Sequence, residues 1–224
     1  VHRLNALLEN AGKTVTYTDE PAAGYAAPCG DLADLAKRMQ AGQVKTLVML
    51  GGNPVYDAPA DLDFEQALAK VSTAIHLSSH ENETSQRCQW LLPQTHPFET
   101  WGDCRAQDGT ICVTQPLIET LLGGKSTLEL LALLLGDKSD SQTLVRRAVD
   151  RVAGRTLSDK EWRKLLHDGF LADSGLKPAS VELKELAAGE TKPAAEGELG
   201  LVFCRGETVY DGRFANNGWL QETP

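Results

Sequence analysis

The chain has 224 residues, 42% of them hydrophobic, which is enough apolar material for a real core. Its 31 acidic residues outweigh 22 basic ones for a formal charge of -9, and without a long basic block a nucleic-acid surface is excluded. No apolar run approaches the roughly 20 residues needed to cross a bilayer, and no charged-then-apolar leader opens the chain, so direct membrane insertion is not expected.

In chain order, the run Lys13-Thr-Val-Thr-Tyr-Thr18 is rich in β-formers, and the Pro, Gly and Ala residues of 21–28 suit a surface loop. Asp31 is placed to cap a helix in which Leu32, Leu35, Ala36 and Met39 form one apolar stripe, with Gly42 ending it. Lys45-Thr-Leu-Val-Met-Leu50 then reads as a buried strand delivering the turn Gly51-Gly52-Asn53-Pro54. Two glycines remove the Cβ atoms that would keep a ligand from bare backbone, Asn53 tolerates unusual backbone angles, and Pro54 bars an early helix start. Ligands of open α/β sheets sit at such strand ends, although any strand-to-helix connection can use these residues simply to turn.

A helix over residues 61–70 and a strand over Thr73–Ser78 follow, completing a strand–helix–strand–helix–strand order that opens with the β-rich run 13–18. Alternation with short connections calls for a parallel sheet covered on both faces, hence an α/β class with a Rossmann-like three-layer domain. Asn82 is placed to cap a helical turn running from Glu83 to Gln89, ahead of a strand Trp90-Leu-Leu-Pro93. Residues 98–108 read as loop and residues 110–115 as a strand before Pro116. Three helices come next: Ser126 with Glu129 forms a capping box, residues 143–152 are amphipathic, and Ser158 with Glu161 caps the third. Residues 172–198 shift to Ala, Gly, Pro, Lys and Glu, as in a linker or mobile loop, and residues 199–204 begin a strand of a further, mostly β piece. The expected organisation is a domain over 1–170, a linker over 171–198 and the start of another domain over 199–224. A chain that opens on Val1 and closes on Pro224 reads as an excised fragment.

Cysteines stand at 29, 88, 104, 112 and 204, with no Cys-x-x-Cys pair, which argues against zinc or a cluster held here. Cys104 and Cys112 flank the turn signal Asp108-Gly109, so a hairpin would bring them near a disulfide in an oxidising compartment; buried free thiols are the alternative, and the other three read as core residues. Gly123-Gly-Lys-Ser-Thr127 resembles the end of a phosphate-binding loop, but the position that needs the first glycine is Glu119, so helix capping explains it better. His80-Glu81-Asn82-Glu83-Thr84 lacks the second histidine of a zinc-protease helix, and His76 and His80 read as surface or loop histidines. No Gly-x-Ser-x-Gly elbow is present.

Four segments together resemble the molybdopterin oxidoreductases of the dimethyl sulfoxide reductase superfamily. They are the strand with Gly51-Gly52-Asn53-Pro54; Glu83-Thr84-Ser85 ahead of Trp90-Leu-Leu-Pro93; Glu99-Thr100-Trp101-Gly102 through Asp108-Gly109-Thr110 to Gln115-Pro116; and Arg213-Phe-Ala-Asn216-Asn217-Gly-Trp219-Leu220. The wording around Gly51 and around Tyr210 is most similar to the iron–sulfur subunit of bacterial alternative complex III. That resemblance implies a molybdoenzyme fold retained without its own pterin, iron–sulfur clusters carried outside this fragment, and other subunits of a membrane-bound redox complex as partners. The fragment would then be soluble, on the periplasmic side, and membrane-associated only through those partners. The resemblance to catalytic members implies instead half of a molybdopterin guanine dinucleotide site. There the backbone of Gly51, Gly52, Asn53 and Pro54 receives the nucleotide, Glu83 and Asp103 face guanine or ribose, and Asn216 and Asn217 approach the pterin. Each of these polar residues also suits a turn, a first helical turn or a loop. A free-standing nucleotide-binding enzyme is the weakest reading, since no Gly-x-Gly-x-x-Gly turn follows a strand.

Overall fold

A computed structural model describes residues 2–19, 31–181, 204, 206–210, 212, 214–215 and 217–222. The loop expected over 21–28, Cys29, linker residues 182–198, the strand begun at 199–203, and Asn216 lie outside the described residues. The chain divides into two compact units, Thr18–Ala179 and a second that joins Val1–Tyr17 to Ser180–Pro224.

In chain order, the described helices open with α1 (His2–Leu7), in the second unit, and α2 (Leu32–Gln40). Next come β1 (Thr46–Leu50), α3 (Pro54–Asp57), α4 (Phe64–Leu68), β2 (Thr73–Ser78), α5 (Glu83–Gln86) and β3 (Trp90–Pro93). The hairpin strands β4 (Gly102–Arg105) and β5 (Ile111–Thr114) precede α6 (Thr127–Leu134), α7 (Ser141–Ala153) and α8 (Asp159–Asp168), and α9 (Gly218–Gln221) lies in the second unit.

The larger unit is a mixed α/β structure. Strands β1, β2 and β3 form a parallel sheet in that order, with Leu47 beside Ala74, Met49 beside His76 and Ile75 beside Trp90. Side chains alternate across a strand, so Leu47, Met49, Ala74 and His76 share one face. Ala36 and Met39 of α2 and Phe64, Ala67 and Leu68 of α4 cover that face and make the first core with Met49, Val71 and Ala74. The opposite face buries Leu77 completely at its centre but leaves Leu50 and Trp90 exposed towards its edges. The sequence pattern asks for helices on both faces; the three later helices instead build a core of their own.

That second core packs Ile111 and Val113 of β5 against Val145 and Val149 of α7 and Trp162 and Leu165 of α8, with Leu157 between the helices. Val145 and Val149 are four apart, the spacing that places two side chains on one helix face. Trp101 stacks on Trp162 with ring centres 6.2 Å apart, and Arg146 lies 5.5 Å over the Trp162 ring. Helix α6 buries Leu130 and Ala132 but exposes Leu131, Leu133 and Leu134.

Local chemistry explains the agreements and the differences. Asp31 accepts from the Asp34 N–H, and both capping boxes form, with Ser126 against Glu129 and Ser158 against Glu161. The helix expected over 61–70 is interrupted: a 3-10 turn over Ala60–Leu62 ends at Asp63, whose φ of 45° breaks the helical path before Phe64. Residues 13–18 are turn and isolated bridges rather than a strand, Thr18 pairing with Pro178 inside the larger unit. Residues 102–105, read as loop, are β4, because the antiparallel ladder with β5 satisfies backbone that local β propensity does not mark. The first residues of the stretch read as a linker run along the free side of β5: the Leu171 N–H donates to Ile111 O, and the Ile111 N–H to Ser174 Oγ.

Candidate functional site

The carboxyl ends of β1, β2 and β3 deliver three connections, and the first is the Gly-Gly turn. Gly51 and Gly52 both adopt φ of 78°, a left-handed conformation that side-chain-bearing residues rarely enter. A Cβ built at either meets nothing closer than 3.8 Å, so backbone angle rather than crowding requires glycine there. The Gly51 N–H donates to Leu77 O at 2.8 Å, which keeps the turn against β2.

Asn53 closes the turn by reaching to the start of α5. Its Oδ1 accepts from the Thr84 N–H at 3.1 Å and from Thr84 Oγ1 at 2.8 Å, and its Nδ2 donates to Glu83 Oε2 at 2.7 Å. Thr84, fully buried, accepts in turn from the Val55 N–H at 3.0 Å. Asn82 caps α5 through the Ser85 N–H at 3.0 Å and reaches Gly52 O at 3.4 Å. Both side-chain atoms of Asn53 are therefore committed to α5. Glu83 remains exposed, and the hydrogen bond from Asn53 together with its own backbone N–H holds its carboxyl below the usual range. The amides of Gly52 and Asn53 meet no hydrogen-bond acceptor among the described residues.

Beneath the turn lies His76, which is completely buried and not the surface histidine expected from sequence. Its Nδ1 sits 2.9 Å from Ser85 Oγ, but its Nε2 has no partner of hydrogen-bond geometry among the described residues. Burial lowers its pKa, and the adjoining backbone of Gly51 and Gly52 opposes that shift without completing a good bond. Thr95, just past β3, is buried with its N–H given to Lys125 O at 3.1 Å, and its Oγ1 is also unpartnered among the described residues. Two orphaned polar atoms thus follow the same sheet to its carboxyl side, where ligands of α/β sheets gather.

The remaining residues singled out from sequence lie elsewhere. Asp103 is on β4 opposite Val113, part of the hairpin rather than of the bonded set around the turn, and desolvation pushes its carboxyl up. Asn217 belongs to the second unit and caps α9 by accepting from the Trp219 N–H at 3.2 Å. Gly124, in the segment that resembles a phosphate loop, approaches Pro93 so closely that a Cβ would come within 2.7 Å of its carbonyl oxygen, a packing reason for glycine there. Pro54 begins α3, where its missing N–H costs nothing.

Of the residues around the turn, Thr95 was not singled out from sequence, Asn82 was read only as a helix cap, Thr84 and Ser85 only as part of the Glu83-Thr84-Ser85 segment, and His76 as a surface or loop histidine. One signal was available for His76: a central strand of a parallel sheet is buried on both faces, so any polar residue within Thr73–Ser78 is enclosed. No protein-family model matches the chain. A search of curated proteins likewise finds no significant match.

Proposed function

We propose that this chain is a structural module of a molybdopterin-oxidoreductase-like subunit in a respiratory electron-transfer membrane complex, with a Rossmann-like layered domain that works as a scaffold without its own pterin. The support from sequence is the ordered resemblance of four segments. The observation that carries the scaffold reading is the commitment of Asn53 and Glu83: the polar side chains at the Gly-Gly turn are spent on each other and on Thr84, which makes the turn a joint between β1 and α5. In this reading the iron–sulfur clusters belong to parts of the subunit outside the chain. Docking to other subunits places it at the periplasmic side of the membrane.

A second reading has its own support. The amides of Gly52 and Asn53, which meet no acceptor among the described residues, together with the orphaned Nε2 of His76 under the turn, fit the nucleotide end of a molybdopterin guanine dinucleotide. Gly52 and Asn53 would hold it through backbone, and Glu83 would accept from guanine or ribose. The bound group would supply the redox metal through its pterin; this chain's own part would be to hold and orient the nucleotide.

The deciding experiment is molybdenum and tungsten analysis by mass spectrometry, with fluorescence of oxidised pterin, on the full-length protein from its native host. Absence of metal and pterin with iron present supports the scaffold. Near-stoichiometric metal and pterin overturns it in favour of the cofactor cradle.

A further inference from the structure

We propose that Cys104 and Cys112 form a cross-strand thiol pair that closes reversibly into a disulfide by exchange with a small-molecule disulfide such as oxidised glutathione. The inference stands apart from the sheet-end site and from either reading of it. Cys104 and Cys112 are direct register partners in the antiparallel pairing of β4 with β5. Alternation along β5 fixes which way they face: Ile111 and Val113 are buried in the second core, so Cys112 projects from the other side of the ribbon, where Cys104 stands opposite it.

The backbone bonds identify the kind of pair. The Val113 N–H donates to Gly169 O and the Leu171 N–H to Ile111 O, both on the side of β5 away from β4, while the Ala106 N–H donates to Thr110 O within the hairpin. Residues 110, 112 and 114 therefore bond towards β4, and Cys104 with Cys112 is a hydrogen-bonded pair. Such pairs hold their Cα atoms about 5.5 Å apart, inside the range in which disulfides form. The thiols also interact: the Cys104 pKa is pushed up first by desolvation and then by the neighbouring Cys112.

Position separates this pair from the other described cysteines. Cys104 is exposed and Cys112 half-buried on facing strands; Cys88, also half-buried, packs against the first core with its Sγ given to Thr84 O, and Cys204, exposed rather than the core residue expected from sequence, belongs to the other unit. In the reaction the Cys104 thiolate attacks one sulfur of oxidised glutathione and expels one reduced glutathione. The Cys112 thiolate then attacks the Cys104 sulfur of the mixed disulfide and expels the second. Two protein thiols become one disulfide while the glutathione disulfide is reduced to two thiols, so hydrogens and electrons balance. Because the raised pKa keeps the Cys104 thiolate scarce near neutrality, exchange accelerates as the pH rises. The closed bridge ties β4, which pairs only with β5 in its sheet, covalently to the strand anchored in the second core.

The test uses the full chain, fully reduced and then incubated with oxidised glutathione. Free thiols are counted in denaturant, and the non-reduced protein is mapped with trypsin and chymotrypsin together: a cut after Arg105 separates Cys104 from Cys112, and a cut after Trp101 separates Cys104 from Cys88. The expected result is loss of the Cys104 and Cys112 thiols with their peptides joined and no glutathione on either, whatever adducts the unpaired cysteines carry, and recovery of five thiols on adding dithiothreitol. Cys104→Ser and Cys112→Ser each leave the other cysteine as a mixed glutathione disulfide. Retention of all five thiols, separate glutathione adducts on Cys104 and Cys112 without a bridge, or a bridge from either to Cys29, Cys88 or Cys204 overturns the proposal.

Discussion

Replacing Asn53 by alanine tests the claim that the Gly-Gly turn is held by α5. The substitution removes three hydrogen bonds at once: two accepted from Thr84 and one donated to Glu83. Glu83 is exposed and recovers its partner from water, so its share is small. Thr84 is fully buried, and its N–H loses its acceptor; an unsatisfied buried donor costs about 1–3 kcal/mol, with a further ~1 kcal/mol for the hydroxyl bond. Asn53→Ala should therefore destabilise the protein by about 3 kcal/mol. At roughly 2–4 °C per kcal/mol for a protein of this size, the melting temperature should fall by roughly 6–12 °C. Urea titration followed by circular dichroism, with the midpoint lowered at unchanged slope, measures the same quantity. Asn53→Asp is the informative companion, because it keeps an acceptor for Thr84 while setting a carboxylate beside Glu83; its cost should be smaller and should diminish as the pH falls towards 4. A loss under about 0.5 kcal/mol for Asn53→Ala would mean that Thr84 finds another acceptor and that Asn53 does not hold the turn.

Leu165→Ala, at a fully enclosed position of the second core, should cost about 2–5 kcal/mol in urea unfolding, whereas Leu133→Ala on the open side of α6 should change stability by less than about 0.5 kcal/mol. His76 has a folded pKa below its unfolded value of 6.5, so the unfolded state binds more protons there. Stability should be fully present above about pH 6.5 and decline as the pH falls below it, and His76→Asn should flatten that limb in melts taken from pH 7.5 to 5. Glu161, drawn down to about 2 first by Arg155 and then by Ser158, has the same sign at lower pH: its stabilisation is present above the unfolded value of 4.5 and is lost as the pH drops towards 2. Glu161→Gln should remove that acid dependence, and an unchanged acid limb would show that the Ser158 capping box is not what titrates.

Segments whose order is imposed by neighbours in the chain were legible from sequence. Asp31, Asn82, Ser126 and Ser158 each cap a helix three residues into its own backbone, an interaction that needs nothing distant. The apolar runs Thr46–Leu50 and Thr73–Ser78 became strands with the expected bounds, and the positive φ at Gly51 and Gly52 follows from the glycines themselves. Tertiary structure decided what depends on partners far along the chain. Residues 102–105 are a strand only because β5 lies alongside, and residues 13–18 are not one despite their β-rich composition, because no ladder forms with them. Asp63 broke a helix that its sequence context would have continued. The burial of His76, the bond from Asn53 to Thr84 across 31 positions, and the alignment of Cys104 with Cys112 all arise from how strands are placed side by side. Hydrogen bonds inside one turn are determined by the residues of that turn. Those that close long loops exist only once the apolar faces of β1, β2 and β5 have found the helices that cover them.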